Sequence, residues 1–549
     1  MRWWIGLVLL APLALAAQTE ADACAISGQV SSAATGAPLR RALVYLRRME
    51  ASPGVTNIAV SQTAMTDAAG RFAMAGIAPG KYRLSAERSG YLAGQYGSSG
   101  PGKSGVMLTL EPGQKANDLT IKMTPHGVIA GRVLDDEGEP MASANVQVSR
   151  QQYLQGRKQL ARVNAGLTND LGEYRIFGLA PGRYYVGVES RPNPSLPAGE
   201  DEYVTTYFPR TTDITAAGAV DVAPGAQLRN IDIAMAKVHT VLVRGRVINE
   251  LAAAAGANNQ RLIPSVMLSQ RIAGMVGGGI TRGAAVTPQG TFELPSVTPG
   301  QYWLITQLNS GGRNYTARAT IQVGGANVEG VTLTLRGGTP VSGQVRVEGE
   351  STEGLSRLRI SMMPAEFGGV MYLPMATQMV KEDGSFRLED VGSDRYMVAV
   401  SGLPEGFYLK SIRSANLDVL AAGLEISGDS PAPLEVILSS RGGQVTGTVM
   451  DPRTQKSAAQ ATVVLAPQEK ERRDRESYYR TVSTDASGGF TFKGLTPGEY
   501  RVYAWEETEY GAWMDPDFLK PQESRGEAVS IAEGARESVQ VKLIPAEAQ

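Results

Sequence analysis

The stretch TDAAGRFAMAGIAPGKYRL, residues 66–84, joins a Gly, an aromatic two residues on, a Pro-Gly step and a Tyr ten residues after the aromatic. The phrase returns as TNDLGEYRIFGLAPGRYYV at 168–186 and as STDASGGFTFKGLTPGEYRV at 483–502. Weaker forms fill the gap between them. The Gly falls at Gly70, Gly172, Gly290, Gly384 and Gly488. The aromatic is Phe72, Tyr174, Phe292, Phe386 and Phe490, and the Tyr is Tyr82, Tyr184, Tyr302, Tyr396 and Tyr500. The Gly anchors lie 94 to 118 residues apart, yet the spacing inside the phrase never changes. Rigid inner spacing with variable outer spacing marks a packed motif between tolerant loops.

Two further anchors share the period. Each copy opens on a strand with a central Gly: ISGQV at 26, IAGRV at 129, VRGRV at 243, VSGQV at 341 and VTGTV at 445. Each closes on an alternating strand, such as LTIKM, in which Leu119, Ile121 and Met123 face one way and Thr120 and Lys122 the other. Period-two alternation is the mark of a sheet with one buried face. Short strands divided by Gly/Pro turns, without helical periodicity, predict an all-β tandem array of five β-sandwich domains at 25–123, 129–235, 243–335, 341–438 and 445–544. Linkers of a few residues favour neighbours that touch end to end, a semi-rigid rod.

Within the phrase, Asp-x-x-Gly or Asn-x-x-Gly predicts a tight turn with Gly at positive φ. Pro79-Gly80, Pro181-Gly182, Pro299-Gly300 and Pro497-Gly498 predict type II hairpin turns, after which Tyr82 and Leu84 point into the core. The fourth copy is degenerate, with Ser393-Asp394 in place of Pro-Gly, and a looser hairpin is expected there. Gly weakens a strand, so the Gly of each opening strand needs a reason. The expectation is that the motif aromatic or the Tyr ring lies over it.

A chain of 549 residues is too long for one core, and 42% apolar residues with 63 Gly and 30 Pro describe a turn-rich globular protein. A formal charge of −1 offers no broad field for nucleic acid or anionic lipid. The N-terminus MRWWIGLVLLAPLALAAQ predicts a secretory signal peptide over 1–17 and export to the periplasm, cell surface or medium. No later run of 18 apolar residues occurs, so no membrane span is expected after cleavage. The single cysteine, Cys24, reads as an unpaired thiol on a flexible leader; Asp22 argues against lipidation.

The opening Gly strand, the Asp-x-x-Gly-x-aromatic turn and the APGKY or LTPGEY step resemble the carboxypeptidase regulatory-like domain. The resemblance covers nearly the whole chain after residue 24 and is strongest in copies one, two and five. It implies a prealbumin-like (transthyretin-like, Cna B-like) sandwich of the carbohydrate-binding-like fold, acting as an accessory or binding module and not as a peptidase. Related B-type modules carry a Lys–Asn cross-link from a Lys on the opening strand, and none of the five has one.

Catalytic chemistry finds little support. The only histidines, His126 and His239, lie in junctions, and neither begins a His-x-x-Glu, which speaks against a zinc site or a Ser-His-acid triad. GSSGPGKS at 97–104 matches the phosphate-loop pattern but lacks a following helix, so no nucleotide or other cofactor is expected. The acidic LDDEGEP at 134–140 and the mixed EKERRDRE at 469–476 read as solvated turns.

The aromatic signal is stronger. Copy five carries VYAWEETEYGAWMDPDF, with Tyr503, Trp505, Tyr510, Trp513 and Phe518; copy two carries DEYVTTYF, with Tyr203, Tyr207 and Phe208. Two readings stand: flat rings beside acids form a sugar-binding face, or the rings tack a long loop onto the sandwich edge. The expected function is an exported, non-catalytic array that binds carbohydrate or a cell-envelope polymer. The alternatives are a structural spacer or protein-interaction array at the cell surface, and an accessory subunit of a separate secreted enzyme.

Overall fold

A computed structural model describes residues 22–49, 60–98, 100–103, 105–154, 156–190, 197, 199–250, 264–271, 280–310, 313–348, 354–365 and 376–546. The expected signal peptide lies outside them. Strands dominate throughout, and no helix among the described residues is long and apolar enough to cross a membrane.

The opening strand is the middle of each repeat's first sheet. In Cys24–Ser32, Gly28 faces Phe72 of the antiparallel strand Arg71–Ile77 and Leu119 of the parallel strand Lys115–Met123. The same triad recurs as Gly245 with Phe292 and Val331, Gly343 with Phe386 and Leu434, and Gly447 with Phe490 and Val539. A Cβ at Gly245, Gly343 or Gly447 would lie 2.3–2.6 Å from the ring Cζ of the paired Phe and 2.3–2.5 Å from the carbonyl oxygen of the parallel strand. A ring therefore does lie over the Gly in these three copies, and only a residue without a Cβ fits. At Gly28 and Gly131 the nearest atoms are the backbone of Leu119 and Ile231, whose oxygens approach to 2.0 and 2.1 Å. In the second copy the aromatic is Tyr174, and its Oη donates to the Ile231 carbonyl at 2.6 Å.

The second sheet of the first repeat sets Leu43–Arg48 between Val60–Met65 and Gly80–Glu87, with Gly94–Gln95 and Met107–Leu110 on the far side. The two strands joined by Pro79-Gly80 thus belong to opposite sheets, and the step is an arch between layers, not a hairpin. The type II turn is not formed either: Gly80, Gly182, Gly300 and Gly498 have φ of 150–158°, far from the +80° such a turn needs.

The arch is held by the tyrosine. Tyr82 Oη donates to Ala78 O at 2.7 Å, Tyr302 to Thr298 O at 2.9 Å, Tyr396 to Gly392 O at 3.0 Å and Tyr500 to Thr496 O at 2.9 Å. Each ring is buried, so its hydroxyl must find a partner. Burial pushes Tyr396 up to about 12, keeping its proton in place to donate. The fourth copy keeps this bond without Pro-Gly, because the anchor is the tyrosine and the Asp394 backbone needs no positive φ. The looser connection expected there is not seen.

A further position is hidden in the sequence. Six residues after the motif Gly the chain takes positive φ in every copy: Gly76, Gly178, Ser296, Asp390 and Gly494, at 56–77°. In the first, third, fourth and fifth copies the pairing with the opening strand shifts register beside it, as between Cys24 and Ile26. It is a β-bulge that twists the strand toward the arch. The tight turn before the aromatic forms as expected: Asp67 Oδ1 accepts from the Ala69 and Arg71 amides at 2.9 and 2.8 Å, and Asn169 and Asp485 act alike.

Apolar clusters lie within residues 24–123, 241–335, 341–438 and 445–543. Leu119, Ile121, Met123, Tyr82 and Leu84 are all buried, as the alternation requires. The chain divides into two compact units, 1–130 with 175–182 and 221–230, and 131–174 with 183–220 and 231–549, so the division runs through the second repeat. Cys24 is not on a flexible leader. It is part of the first strand, fully buried, and its Sγ donates to Glu111 O at 3.0 Å.

Candidate functional site

The fifth repeat's aromatic run does not form an open platform. Tyr503, Trp505 and Trp513 are 1%, 0% and 3% exposed. Tyr503 and Trp505 stack at 5.3 Å, Trp505 meets Phe518 at 5.9 Å, and Trp513 takes Tyr510 edge-on at 5.2 Å. With Val464, Ala466, Tyr479, Met514, Leu519 and Ile544 they make a second core on the outer face of the sheet. The segment 506–526, with its short turns Ala512–Met514, Pro516–Leu519 and Lys520–Arg525, covers that face. Val463, Leu465, Val502 and Ala504 meanwhile fill the core between the sheets. Both faces of Thr462–Pro467 and Gly498–Trp505 are thus buried, and no ring face of the three buried residues is left for a sugar. The continuous apolar runs TVVLA and RVYAW carried that signal, since a strand covered on both sides loses its alternation. Only Tyr510 is open, 68% exposed, with its hydroxyl donating to Glu476 Oε1 at 3.0 Å.

The second repeat's aromatics fall in a different setting. Tyr203 and Tyr207 line a cleft of about 440 Å³ with Glu202, Gln270, Arg271, Arg282 and Tyr302. Phe208 is not in the lining and rests against Gly218. The Tyr203 hydroxyl donates to Asp136 Oδ1 at 2.6 Å, and Lys237 Nζ lies 4.7 Å from the ring centre and 2.8 Å from the same carboxylate. Hydrogen bonds from Lys237 and then Tyr203 pull Asp136 down to about 2. Tyr207 is buried against Leu160 and Ile214, and burial pushes it up to about 12. At the floor, Arg282 Nε donates to Ser296 O at 2.8 Å while its Nη2 is paired with Glu202, both side chains being 8% exposed. A buried pair of this kind ties the third repeat to the second.

Further ties, less buried than this one, recur along the second unit. Arg318 Nη2 meets Asp394 at 2.8 Å between the third and fourth repeats. Between the fourth and fifth, Lys493 meets Glu405 at 2.6 Å, and Glu533 accepts from Ser439 at 2.7 Å and Arg441 at 2.9 Å. Arg475, expected on a solvated face, instead donates to the Ala421 carbonyl at 2.8 Å, and Arg472 to Pro497 O at 2.7 Å. The acidic turn at 134–140 is solvated as expected, with residues 136–140 exposed and Asp135 Oδ1 accepting from the Glu137 and Glu139 amides at 2.9 and 2.8 Å. His239 pairs with Asp201 at 3.3 Å in the open, and His126 rests 5.9 Å from Phe177. Among the described residues no three His, Cys, Asp or Glu side chains converge as metal ligands.

Residues 25–124 and 444–543, the first and fifth repeats, each match the carboxypeptidase regulatory-like domain. Its curated relatives include BOS complex subunit NOMO1 of Mus musculus, 25% identical over 308 residues, which are 51% of this chain and 23% of that protein. BOS complex subunit NOMO3 of Homo sapiens is 25% identical over 241 residues, 41% of this chain and 18% of that one. The match therefore spans under a quarter of the length of these relatives. Among solved structures, the minor pilin GBS52 of Streptococcus agalactiae matches at 14% identity over 39% of this chain and 96% of its own, with a TM-score of 0.22. The shaft pilin SpaA of Lactobacillus rhamnosus GG matches at 13% identity over 40% and 98%, with a TM-score of 0.20. None of these matches indicates an enzyme family.

Proposed function

We propose that this chain is an exported, non-catalytic scaffold of five sandwich domains, with borders at 25–123, 129–235, 243–335, 341–438 and 445–544, that holds its second to fifth domains in fixed register and offers its domains to other proteins. The observation that carries this is the series of ties between consecutive repeats from the second to the fifth, above all the buried pair Arg282–Glu202 and its counterpart Arg318–Asp394. Loosely tethered domains do not bury charge at their junctions, because desolvating an ion costs several kcal/mol unless a partner is held in place. The curated relatives are named as subunits of a complex, which fits a role in protein assembly. Export rests on the N-terminal leader alone. The test is the spread of distances between spin labels placed in the second and third repeats of the full chain. Arg282→Met should widen a narrow distribution. A distribution already broad in the parent would end the scaffold reading.

A second reading is favoured by the cleft. Its volume of about 440 Å³ lies in the range of small-ligand sites, and Tyr203, Gln270 and Arg271 offer the mix of ring and hydrogen-bonding groups that a short carbohydrate or cell-envelope polymer segment needs. Retention of the full chain on cell-envelope polysaccharide, lost in Gln270→Ala with Arg271→Ala, supports this reading. Retention unchanged by the pair, or none at all, rejects it. Trp505→Ala with Trp513→Ala is expected to unfold the fifth repeat's outer core and is not a test of binding.

A further inference from the structure

The second repeat has a ribbon that outruns its own sheet. Asn145–Leu154 pairs with Arg157–Leu167 along its whole length, but its other neighbour, Gly182–Glu189, stops at Ser149. Beyond that point the two strands pair only with each other and turn through Gly156 at φ +74°. A bare two-stranded ribbon is marginal in water and needs a surface to lie on.

Its tip rests on the segment 506–526 of the fifth repeat, within the same compact unit. A Cβ on Gly156 would meet Met514 Cβ at 2.7 Å and the Met514 carbonyl oxygen at 2.8 Å. Tyr153 packs edge-on to Phe518 at 6.1 Å between ring centres. Arg150 reaches Glu509 at 3.6 Å, and Lys158, 5.5 Å over the Tyr153 ring, feels the charges of Asp515 and Asp517. Shape, an aromatic contact and opposite charge therefore agree at one place, some 360 residues apart in the chain.

We propose that the aromatic insert of the fifth repeat is the socket of an intramolecular latch, closed by the ribbon of the second repeat. The occupant it fits is a basic β-ribbon with an aromatic residue near its tip, supplied here by the chain itself. The inner rings, Tyr503 and Trp505, fix the insert to its sheet, while Phe518, Met514 and the acids face the ribbon. Because the charges at the rim are part exposed, salt weakens the latch: the Debye length falls from ~10 Å at 0.1 M to ~3 Å at 1 M.

The experiment uses the full chain with Tyr153→Cys and Gly511→Cys. A Cβ at Gly511 lies 3.5 Å from Tyr153 Cβ, inside the ~3.5–4.5 Å span of a disulfide. The one native thiol, Cys24, is buried and does not compete. Mild oxidation should give a cross-linked monomer, formed more slowly at 1 M salt than at 0.1 M. A folded double variant that stays reduced, or that links only between two chains, overturns the proposal. Gly511 has φ +83°, so the variant is at risk of misfolding, and Gly156→Val supplies a second test. It should raise amide exchange at 509–519 at least tenfold while 445–449 keeps its protection; unchanged exchange at 509–519 also overturns the latch.

Discussion

Gly245→Val is the sharpest test of the repeat's construction. A valine Cβ would stand 2.3 Å from the Val331 oxygen and 2.5 Å from Phe292 Cζ. The oxygen cannot retreat, since Val331 belongs to the parallel ladder that pairs with Gly245 itself. The ring cannot retreat without leaving the core, where Phe292 is buried. Overpacking alone costs ~1–3 kcal/mol. Driving part of Phe292 into solvent adds up to ~1.5–3 kcal/mol. A loss of ~3–5 kcal/mol is therefore expected, confined to the third repeat. Hydrogen exchange is the assay: amides of Ser265–Gln270 and Gly300–Ser310 should lose protection, while those of Cys24–Ser32 and Gly443–Asp451 keep theirs. Gly283→Ala is the control, because a Cβ there makes only ordinary contact at 3.7 Å. If Gly245→Val leaves Ser265–Gln270 protected, or if protection falls equally in all repeats, the account of the opening Gly is wrong.

Tyr500→Phe should cost ~1–2 kcal/mol in denaturant melts of the fifth repeat, since it strips the Thr496 carbonyl of the donor it meets at 2.9 Å. Gly76→Ala should destabilise the first repeat by ~1–2 kcal/mol through backbone strain alone, as φ is +70° and no atom lies within 4 Å of the new Cβ; a change too small to detect by melting would remove the bulge from the argument. Arg282→Met should cost ~3–5 kcal/mol by removing the guanidinium that is paired with the buried Glu202 carboxylate, and adding Glu202→Leu should recover most of it. Asp136 is held at about 2 in the folded chain against an ordinary 3.8, so the stability it confers is present above pH 4 and is lost as pH falls toward 2. Asp136→Asn should flatten that part of the acid-denaturation curve.

Much of this architecture was legible in residues close together in the chain. The positions of Gly70, Phe72 and Tyr82 are set by one turn, one strand and one arch, all within a few residues, and selection on such a unit leaves a fixed spacing. The bulge at Gly76 escaped because its residue varies: Ser296 and Asp390 take the same positive φ without advertising it. The arch was misread because two strands joined by Pro-Gly look alike whether they share a sheet or lie in opposite ones.

Sequence alone determined the strand content, the period and the inward faces, because each follows from local dihedral preference and alternation. Only the tertiary structure decided that Cys24 belongs to the core and that Trp505 faces an internal cluster, with Tyr153 resting on Phe518. Aromatic rings have the same composition whether they meet a sugar or a distant segment of their own chain. What they touch depends on contacts hundreds of residues apart, and those form only once the sheets have packed.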